Sequence, residues 1–555
     1  MPGTTLHDAL DGVAAAHPDV AAIFPAGPSR LTITELSASS VRMADALLRE
    51  GVGPAERVGL LCANEPAFLQ ALFALSRIGA AVCPLPLPVM SRDMEGYAAR
   101  LRRVMTVAGI RRIVVTDGFS DVVTALATLL PGARLLHVAD LRGADDRRRM
   151  PAVTATDLAI VQFTSGSTSV PKGVRLTHGN VLASLDSMEA GTGMKPGQDL
   201  LGVWLPMYHD MGLFSSLTAL LAGVPVMIWP PISFVKSPAA WLRTVSENGN
   251  SICPLPNFGY DHLLAAVPPR NVPGLDLSRW RVAINGAEPV ALASVEAFQE
   301  RFAPAGFGPE AMMPVYGMAE ATLAVSFPPL GRPPVFDWVD AGLLAGEGRA
   351  VPTSRTAPGA RAVAGLGQPV RGMRLRIADP RTGTPSEDRR VGEVQLAGPA
   401  VTAGYLGAAD AAQPFTDDGW LRTGDLAYTD RGELYVTGRI KEMIVVRGAN
   451  YYPEDVEAAA REVPGVHRQT CAAFADTTGD RDRMVLAAET RVGDGADRVR
   501  LIEEIRAGVA DATGLADVSV RLVPPRTIPR TTSGKLRRLA MPEVIRALEG
   551  ASGGR

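Results

Sequence analysis

The sequence predicts an α/β protein with a large N-terminal domain of doubly wound parallel sheets, a small β-rich subdomain and a smaller α+β C-terminal domain. Short apolar runs alternate with helical patterns over residues 1–150 and again over 158–302, as is typical of doubly wound sheets. Short strands with Gly turns occupy 370–436, and strands mix with helices over 442–523. A chain of 555 residues is also too long for one ordinary domain.

The first half of the chain supplies the alternating elements. Apolar runs predict strands at 57–62, 81–85, 112–116, 158–163, 200–205, 225–229, 251–253 and 281–285. Periodic stretches predict helices at 66–78, 93–107, 213–221, 239–248, 258–267 and 291–302. Ligands of open sheets bind outside the carboxyl ends of the strands, so we expect the functional loops there.

The second half changes in character from about residue 325. Residues 328–367 are rich in Pro, Gly, Ala and Arg and show weak periodicity, whereas 370–436 predicts the β-rich subdomain. Residues 438–441 indicate a junction, so we predict an N-terminal domain 1–438 and a C-terminal domain 439–555. The latter is predicted to contain strands 443–446, 470–475 and 484–489 and helices 454–462 and 498–513, the last with Asp497 as its N-cap.

Composition excludes several classes of function. Positive and negative side chains nearly cancel, for a net charge of −2, so we expect no nucleic-acid partner. The first residues lack a signal-peptide pattern and the four cysteines lack metal or redox spacing, so we expect a cytoplasmic protein with reduced thiols. The uncharged run 211–235 could suggest a membrane span, but Gly223, Pro225 and Pro230 interrupt it. We therefore expect a helix followed by a strand and no stable membrane insertion.

One loop of small hydroxyl residues and glycines follows the predicted strand 158–163. Glycines allow close approach of the backbone, N–H groups and hydroxyls donate hydrogen bonds, and a lysine adds positive charge, so such a loop can bind anionic oxygens. It is not a Walker loop, because Gly173 follows the lysine where that pattern needs Ser or Thr. A helix start is predicted at 177–180. The candidate residues are Thr164, Ser165, Gly166, Ser167, Thr168 and Lys172.

Further polar motifs occur along the rest of the chain. Taken singly, each would be read as an ordinary turn, a solvated charge or a satisfied histidine. They are Leu-Pro-Met-Tyr-His-Asp-Met-Gly at 205–212, Asn-Gly-Ala-Glu-Pro at 285–289, Tyr-Gly-Met-Ala-Glu-Ala-Thr at 316–322, Leu-Arg-Thr-Gly-Asp-Leu at 421–426, Gly-Arg-Ile-Lys-Glu at 438–442 and Arg-Thr-Thr-Ser-Gly-Lys-Leu at 530–536.

In this order, the motifs resemble those of the adenylate-forming enzymes, which include acyl-CoA synthetases, luciferases and adenylation domains of nonribosomal peptide synthetases. The resemblance spans about residues 30–540. It is closest to the fatty acyl-AMP ligases, through Tyr-His-Asp-Met-Gly at 208–212 and through Ala319, where many other relatives have threonine. It implies that a fatty acid and Mg·ATP give acyl-AMP and pyrophosphate. The acyl group then passes to the phosphopantetheine thiol of an acyl carrier protein, in polyketide or peptide biosynthesis.

The resemblance also assigns roles to residues. Lys535 is the implied catalytic lysine, which stabilises negative charge as the carboxylate attacks the α-phosphate. Glu320 would hold Mg²⁺, Asp425 would bind the ribose, and Lys441 would be the hinge of a mobile C-terminal domain. The implied ATP and AMP contacts are the loop residues given above together with Gly286, Ala287, Glu288, Tyr316, Gly317, Met318, Ala319, Glu320, Asp425 and Arg439.

The fatty-acid site is expected around residue 209. His209 stands where amino-acid-activating relatives commonly carry an aspartate, which disfavours an amino-acid substrate, and we include His209 among the catalytic candidates. The predicted acyl pocket consists of Tyr208, His209, Met211, Gly212 and Phe234.

Two alternatives remain. Residues 327–367 resemble a region in which fatty acyl-AMP ligases carry an insertion that helps to exclude CoA, which favours a carrier-protein acceptor, but an acyl-CoA synthetase is possible on the same scaffold. A non-catalytic homologue that only binds nucleotide or an acyl chain is the second alternative. It is disfavoured because Lys535, Glu320 and Asp425 are all present.

Overall fold

The computed structural model describes residues 3–27, 29–88, 94–116, 120–143, 150–164, 172–406, 414–446, 449–467, 470–476, 483–493, 495–530 and 536–552. Contacts divide the chain into two compact units, of which the first comprises residues 1–334, 368–374 and 397–415. The second comprises 335–367, 375–396 and 416–555. This division assigns most of the β-rich region to the second unit. The predicted domain boundary between residues 438 and 439 stays a prediction.

Two largely parallel sheets form the core of the first unit, each with seven strands among the described residues. One has the order Tyr405–Leu406, Lys172–Thr177, Leu158–Thr164, Ala81–Pro84, Arg57–Leu61, Arg112–Val115 and Arg134–His137. The other has the order Met312–Pro314, Val282–Gly286, Ile252–Pro256, Leu201–Val203, Val226–Ile228, Ala21–Phe24 and Ser29–Thr32. Antiparallel pairing is confined to edge strands: the first two of one sheet and the last of the other. The predicted doubly wound α/β architecture is confirmed.

Helices connect and flank these strands. Those of the first unit are Leu6–Ala16, Ile33–Arg49, Pro66–Arg77, Met94–Ala108, Ser120–Leu129, His178–Thr192, Asp210–Leu221, Pro231–Lys236, Pro238–Asn248, Asn257–Ala266 and Leu292–Phe302. The uncharged run does split into a helix and a strand, but the helix starts at Asp210 rather than at 213. An aspartate in the first turn is favourable because it lies beside the positive end of the helix dipole. Among the described residues, no helix combines the length and apolarity that crossing a bilayer requires.

The second unit is α+β. A four-stranded sheet contains Arg374–Ala378, Gly392–Ala397, Leu421–Asp430 and Glu433–Arg439, and a three-stranded sheet contains Cys471–Asp476, Arg483–Glu489 and Val518–Val523. Strands Ile444–Val446 and Ala449–Tyr451 form a separate pair. The helices are Ala341–Glu347, Pro453–Arg461, Ala496–Thr513 and Met541–Ser552. The predicted mixture of strands and helices over 442–523 is confirmed.

Weak periodicity gave no prediction of elements for residues 328–367, where Phe336–Asp340 pairs antiparallel with Ala360–Ala364 around a short helix. One local prediction in this unit is wrong. Asp497 is not an N-cap, because the helix starts at Ala496 and Gly495 is the cap residue. The Asp497 carboxylate lies in the first turn instead and accepts a hydrogen bond from Arg500 at 2.9 Å.

Candidate active site

The predicted anion-binding loop is the connection of a β-hairpin. Strand Leu158–Thr164 runs antiparallel to strand Lys172–Thr177, and Thr164 lies opposite Lys172 in the register. The return strand was missed because its Lys-Gly start is typical of a loop. Ser165, Gly166, Ser167 and Thr168 lie outside the described residues, so their contacts with phosphate stay a prediction.

The helix after the hairpin begins where the sequence predicts. Thr177 Oγ1 accepts the backbone N–H of Asn180 at 3.1 Å, and Asn180 Oδ1 accepts the N–H of Thr177 at 3.0 Å. This reciprocal pair satisfies two backbone donors at the helix start. Asn180 Nδ2 also donates to the carbonyls of Pro399 and Val401 at 2.7 and 3.1 Å. The segment near residue 400 is thereby attached to the start of this helix.

Two predicted site residues from distant parts of the sequence meet at one tyrosine. Tyr405 donates its hydroxyl to Glu320 Oε1 at 2.7 Å. The ammonium group of Lys172 lies 4.9 Å from the centroid of the Tyr405 ring. The backbone of Glu320 is held as well, since its carbonyl accepts the N–H of Thr402 at 2.8 Å. The sequence prediction missed Tyr405, because its only signal is an aromatic residue after Gly404.

The turn that carries Glu320 is tightly constrained. A Cβ on Gly317 would lie 2.2 Å from the carbonyl oxygen of Leu323, so only glycine fits there. Met318 donates its N–H to that same carbonyl at 2.8 Å, and Ala319 is buried. Tyr316, at the start of the turn, is also buried.

The residue that closes this turn is strained. Thr322 has φ of 65° and ψ of −58°, a conformation that costs a non-glycine residue about 1–3 kcal/mol. Its Oγ1 donates to the carbonyl of Ala400 at 2.8 Å, which offsets part of that cost. Strain of this kind is concentrated at functional sites, so it agrees with a role for the neighbouring Glu320.

The predicted adenine loop follows strand Val282–Gly286. Ala287 has φ of 67°, which turns the chain sharply at the end of the strand. Glu288 Oε1 accepts the backbone N–H of Phe258 at 2.6 Å. Because Phe258 lies in the first turn of helix Asn257–Ala266, this carboxylate stabilises a helix N-terminus. The structure thus gives Glu288 a structural partner in addition to its predicted contact with nucleotide.

His209 lies in a turn that the surrounding sheet holds in place. Its Nδ1 is 2.6 Å from Asp210 Oδ1, and both side chains are partly exposed. The carbonyl of Tyr208 accepts a hydrogen bond from the buried Gln162 side chain at 3.0 Å. A Cβ on Gly212 would lie 2.3 Å from the carbonyl oxygen of Pro206, so glycine is required where the helix returns over the turn. Met211, which precedes Gly212 in the sequence, is buried.

Phe234, the last predicted pocket residue, belongs to an aromatic cluster. It is fully buried in helix Pro231–Lys236 and stacks on Trp204 with ring centroids 3.9 Å apart. Trp241 packs edge-on against the same ring at 5.2 Å. Trp204 directly follows strand Leu201–Val203, four residues before Tyr208, so the cluster adjoins the turn that carries His209.

In the second unit, the predicted ribose and nucleotide contacts are paired with each other. Asp425 and Arg439 lie opposite each other on two antiparallel strands, and Asp425 Oδ1 accepts a hydrogen bond from Arg439 Nε at 2.9 Å. Asp425 is buried, whereas 59% of the Arg439 side chain is exposed. Lys441 follows in an exposed turn, in which Glu442 and Met443 donate their N–H groups to the carbonyl of Arg439. Lys535, the predicted catalytic lysine, lies outside the described residues.

A buried ionic cluster lies three residues beyond Lys535, and the sequence did not reveal it. Arg538 contacts Glu442 at 2.6 Å, Glu454 at 2.9 Å and Glu457 at 2.7 Å. We call these four residues the Arg538 cluster. Glu457 also accepts the backbone N–H of Ala473 at 3.0 Å. One arginine thus joins the segment that follows residue 535 to Glu442, the residue after the predicted hinge.

Three carboxylates meet at Arg538 and, in the part of the chain that the structure describes, only Glu457 contacts a second cation, Arg461 at 3.3 Å, so excess negative charge remains in the cluster. Burial raises the pKa of Glu454 to about 7; the attraction of Arg538 opposes this, and Glu457 and Glu442 raise the pKa further. Its Oε2 has no hydrogen-bond partner among the described residues. Because the folded state binds the proton more tightly than the unfolded state, stability is lost as the pH rises from about 4.5 to about 7.

Glu454→Gln should remove this pH-dependent loss. Glutamine cannot ionise, so the free energy of unfolding of the variant, relative to that of the wild type, should rise by about 2–3 kcal/mol between pH 4.5 and pH 8. Urea unfolding at several pH values measures it. Glu504→Gln, which replaces an exposed carboxylate, is the control and should show no such rise. Parallel pH curves for wild type and Glu454→Gln would contradict the assignment.

Comparison with known proteins places the chain in a family. The profile of the AMP-binding enzymes matches residues 10–406, and that of the AMP-binding enzyme C-terminal domain matches residues 448–540. Since the first match alone covers more than half of the sequence, the chain belongs to the AMP-binding enzyme family. The first matched range contains Lys172, Glu320 and Tyr405. The second contains Lys535 and every residue of the Arg538 cluster except Glu442.

Individual relatives indicate which class of AMP-binding enzyme this chain resembles. A long-chain-fatty-acid–AMP ligase of Mycolicibacterium smegmatis is 32% identical, over 92% of this chain and 88% of its own. A medium-chain-fatty-acid–[acyl-carrier-protein] ligase of Moorena producens is also 32% identical, over 91% and 87%. A structure from a study of fatty acyl-adenylate ligases of E. coli and L. pneumophila superposes with a TM-score of 0.90 at 31% identity, covering 99% of both chains. The predicted resemblance to fatty acyl-AMP ligases is confirmed.

Proposed function

We propose that this enzyme activates a fatty acid with Mg·ATP, releasing pyrophosphate, and transfers the acyl group from acyl-AMP to the phosphopantetheine thiol of an acyl carrier protein. The observation that carries the proposal is the convergence of Lys172 and Glu320 on Tyr405, beside a hairpin loop of small hydroxyl residues. A cationic and an anionic group next to such a loop suit a metal–phosphate ligand. The four cysteines are unpaired and buried, which supports a cytoplasmic location.

In the first step, a carboxylate oxygen of the fatty acid bonds to the α-phosphorus of ATP. The bond from that phosphorus to the bridging oxygen breaks, and pyrophosphate leaves with the electron pair. Lys172 and the loop at 165–168 hold the phosphates, Asp425 binds the ribose, and Lys535 stabilises the charge that develops at the α-phosphate. Gly286, Ala287 and Tyr316 flank the adenine. Catalysis of this kind depends on positioning and electrostatics rather than on a nucleophilic side chain.

Glu320 suits a magnesium ion. Its carboxylate supplies the hard oxygen ligand that Mg²⁺ prefers, and Tyr405 fixes the orientation of that carboxylate. Among the described residues, no three or more His, Cys, Asp or Glu side chains gather into a metal cage, so phosphate oxygens and water would complete the coordination. The ion, when bound, supplies charge neutralisation at the phosphates.

In the second step, the thiol sulfur attacks the acyl carbonyl and the bond from the carbonyl carbon to the AMP oxygen breaks. AMP leaves with the electron pair, and the thiol proton is released. We place the fatty acid beside His209, with Tyr208, Met211, Gly212 and Phe234 around it. Rotation of the C-terminal domain about Lys441 would admit the thiol.

A carrier protein rather than CoA is the proposed acceptor. Residues 327–367 resemble the family's sequence in the region of the CoA-excluding insertion, and residues 335–367 of this segment belong to the second unit. Arg361 Nε contacts Asp455 Oδ1 at 2.8 Å, and its guanidinium lies 4.8 Å from the centroid of the Tyr452 ring. These contacts hold residue 361 of the segment in a defined position beside residues 452–455.

Activation is tested by incubating the enzyme with Mg·ATP and one acid at a time, without any thiol, and identifying adenylates by mass. Fatty, aromatic and amino acids form the panel. We expect acyl-AMP from fatty acids alone. Adenylates from amino acids alone would refute the substrate class. The absence of any adenylate would restore the hypothesis of a non-catalytic homologue.

A further inference from the structure

We propose that Tyr405 is a positioning residue that sets the Glu320 carboxylate for the metal and the Lys172 ammonium for the phosphates. The inference rests on the proposed function of the same site. Tyr405 lies outside every motif on which the sequence prediction depended. Three contacts give Tyr405 this role, and each of them joins residues within the first unit.

The first contact is a charge-assisted hydrogen bond. The Tyr405 hydroxyl donates to Glu320 Oε1 at 2.7 Å, a distance typical of a strong bond to a carboxylate. This bond limits the orientations that the Glu320 carboxylate can adopt.

The second contact is with the lysine. The Lys172 ammonium lies 4.9 Å from the centroid of the Tyr405 ring, where the negative face of the ring attracts a cation. Lys172 is exposed, and an exposed lysine otherwise samples many rotamers. The ring therefore favours rotamers that keep the ammonium near the hairpin connection, and the phenolic hydroxyl of the same residue holds the carboxylate.

The third contact is through the backbone. Tyr405 and Leu406 form an edge strand paired with Val174 and Gly173 of the hairpin's return strand. Thr402 Oγ1 donates to the carbonyl of Arg175 at 2.6 Å, and the Thr402 N–H donates to the carbonyl of Glu320 at 2.8 Å. The backbone of residues 402–406, which carries the Tyr405 ring, is thus held both by the hairpin and by the Glu320 turn.

Substitutions separate the two functions of the side chain. Tyr405→Phe removes the hydroxyl and keeps the ring, whereas Tyr405→Leu removes both. We expect Tyr405→Phe to raise the Mg²⁺ concentration for half-maximal ATP–pyrophosphate exchange three- to tenfold, with kcat at saturating Mg²⁺ reduced less than threefold. Tyr405→Leu should additionally raise the KM for ATP, because Lys172 loses the ring.

A binding measurement gives a readout that does not depend on turnover. The affinity for the non-hydrolysable analogue α,β-methylene-ATP is titrated calorimetrically at several Mg²⁺ concentrations. In the wild type, Mg²⁺ should strengthen binding. In Tyr405→Phe, the dependence should shift to higher Mg²⁺ by the same three- to tenfold, while affinity without the metal stays close to that of the wild type.

Tyr428→Phe is the matched control. Tyr428 is a buried tyrosine that donates to a carboxylate, Asp337 Oδ2, at the same 2.7 Å, but it belongs to none of the predicted site residues. It should lose stability without a shift in Mg²⁺ dependence. If Tyr405→Phe and Tyr428→Phe behave alike, Tyr405 is only structural and the inference is wrong. If wild-type binding itself shows no Mg²⁺ dependence, the proposed function fails first.

Discussion

Lys535→Ala is expected to slow acyl-AMP formation by about 10²–10³-fold, as the loss of one preorganised group at a developing negative charge typically does. In the proposed mechanism, the lysine would stabilise the negative charge that builds on the α-phosphate as the carboxylate attacks. Single-turnover quench measurements with saturating fatty acid and Mg·ATP give the rate of this step directly.

The thioester step distinguishes a catalytic from a structural effect of this substitution. Preformed acyl-AMP should transfer to the carrier protein at a rate close to that of the wild type, because the proposed rotation about Lys441 would take Lys535 out of the site before that step. Lys195→Ala, an exposed lysine outside the motifs, should change neither step. Adenylation at the wild-type rate in Lys535→Ala would remove the lysine from the mechanism.

Arg538→Ala should destabilise the second unit by about 3–5 kcal/mol, the usual cost of removing one partner from a buried ion pair. Only 12% of the Arg538 side chain is exposed, and Glu457 is fully buried. The substitution would leave Glu442, Glu454 and Glu457 facing one another without their common cation. Protonation of Glu454 would relieve part of the repulsion, so the loss should be smaller at pH 5 than at pH 8.

Hydrogen exchange followed by mass spectrometry measures this effect where it arises. Protection of strand Arg483–Glu489 should fall in Arg538→Ala. Arg538 holds helix Pro453–Arg461 through Glu454 and Glu457, and this helix packs against the sheet that contains the strand. Arg500→Ala is the matched control, because its side chain is 69% exposed and pairs with Asp497 on the surface. Its stability should stay within about 0.5 kcal/mol of the wild type. Equal protection in both variants would show that the Arg538 cluster is energetically unimportant.

Much of the fold was predictable because its strands are apolar runs separated by periodic helical stretches. The strands at 57–61, 81–84, 112–115 and 282–286 were each predicted to within a residue or two, and so were the helices Pro66–Arg77, Met94–Ala108, Pro238–Asn248 and Asn257–Ala266. Local signals also located the helix start at Thr177. Thr177 and its partner Asn180 are three residues apart, so the capping pattern can be read from a short stretch of sequence.

Features that depend on distant contacts were not predictable. Tyr405 lies in a stretch of small residues, and nothing local indicates its pairing with Val174 or its bond to Glu320. In the sequence, Arg538 is one arginine in a basic run. Its buried ion pairs could not be predicted, because its three carboxylate partners lie 81–96 residues away. Residues 336–340 and 360–364 pair across a long connection. In each case, tertiary contacts decide what the local pattern leaves open.

The choice of acceptor tests the central claim most directly. Enzyme, Mg·ATP and a fatty acid are offered equal concentrations of CoA and a phosphopantetheinylated carrier protein, and both thioesters are quantified by mass. We predict an acylated carrier protein and no acyl-CoA, as expected of a ligase that serves a carrier protein. Abundant acyl-CoA with an unmodified carrier protein would contradict the account and assign this chain to the acyl-CoA synthetases.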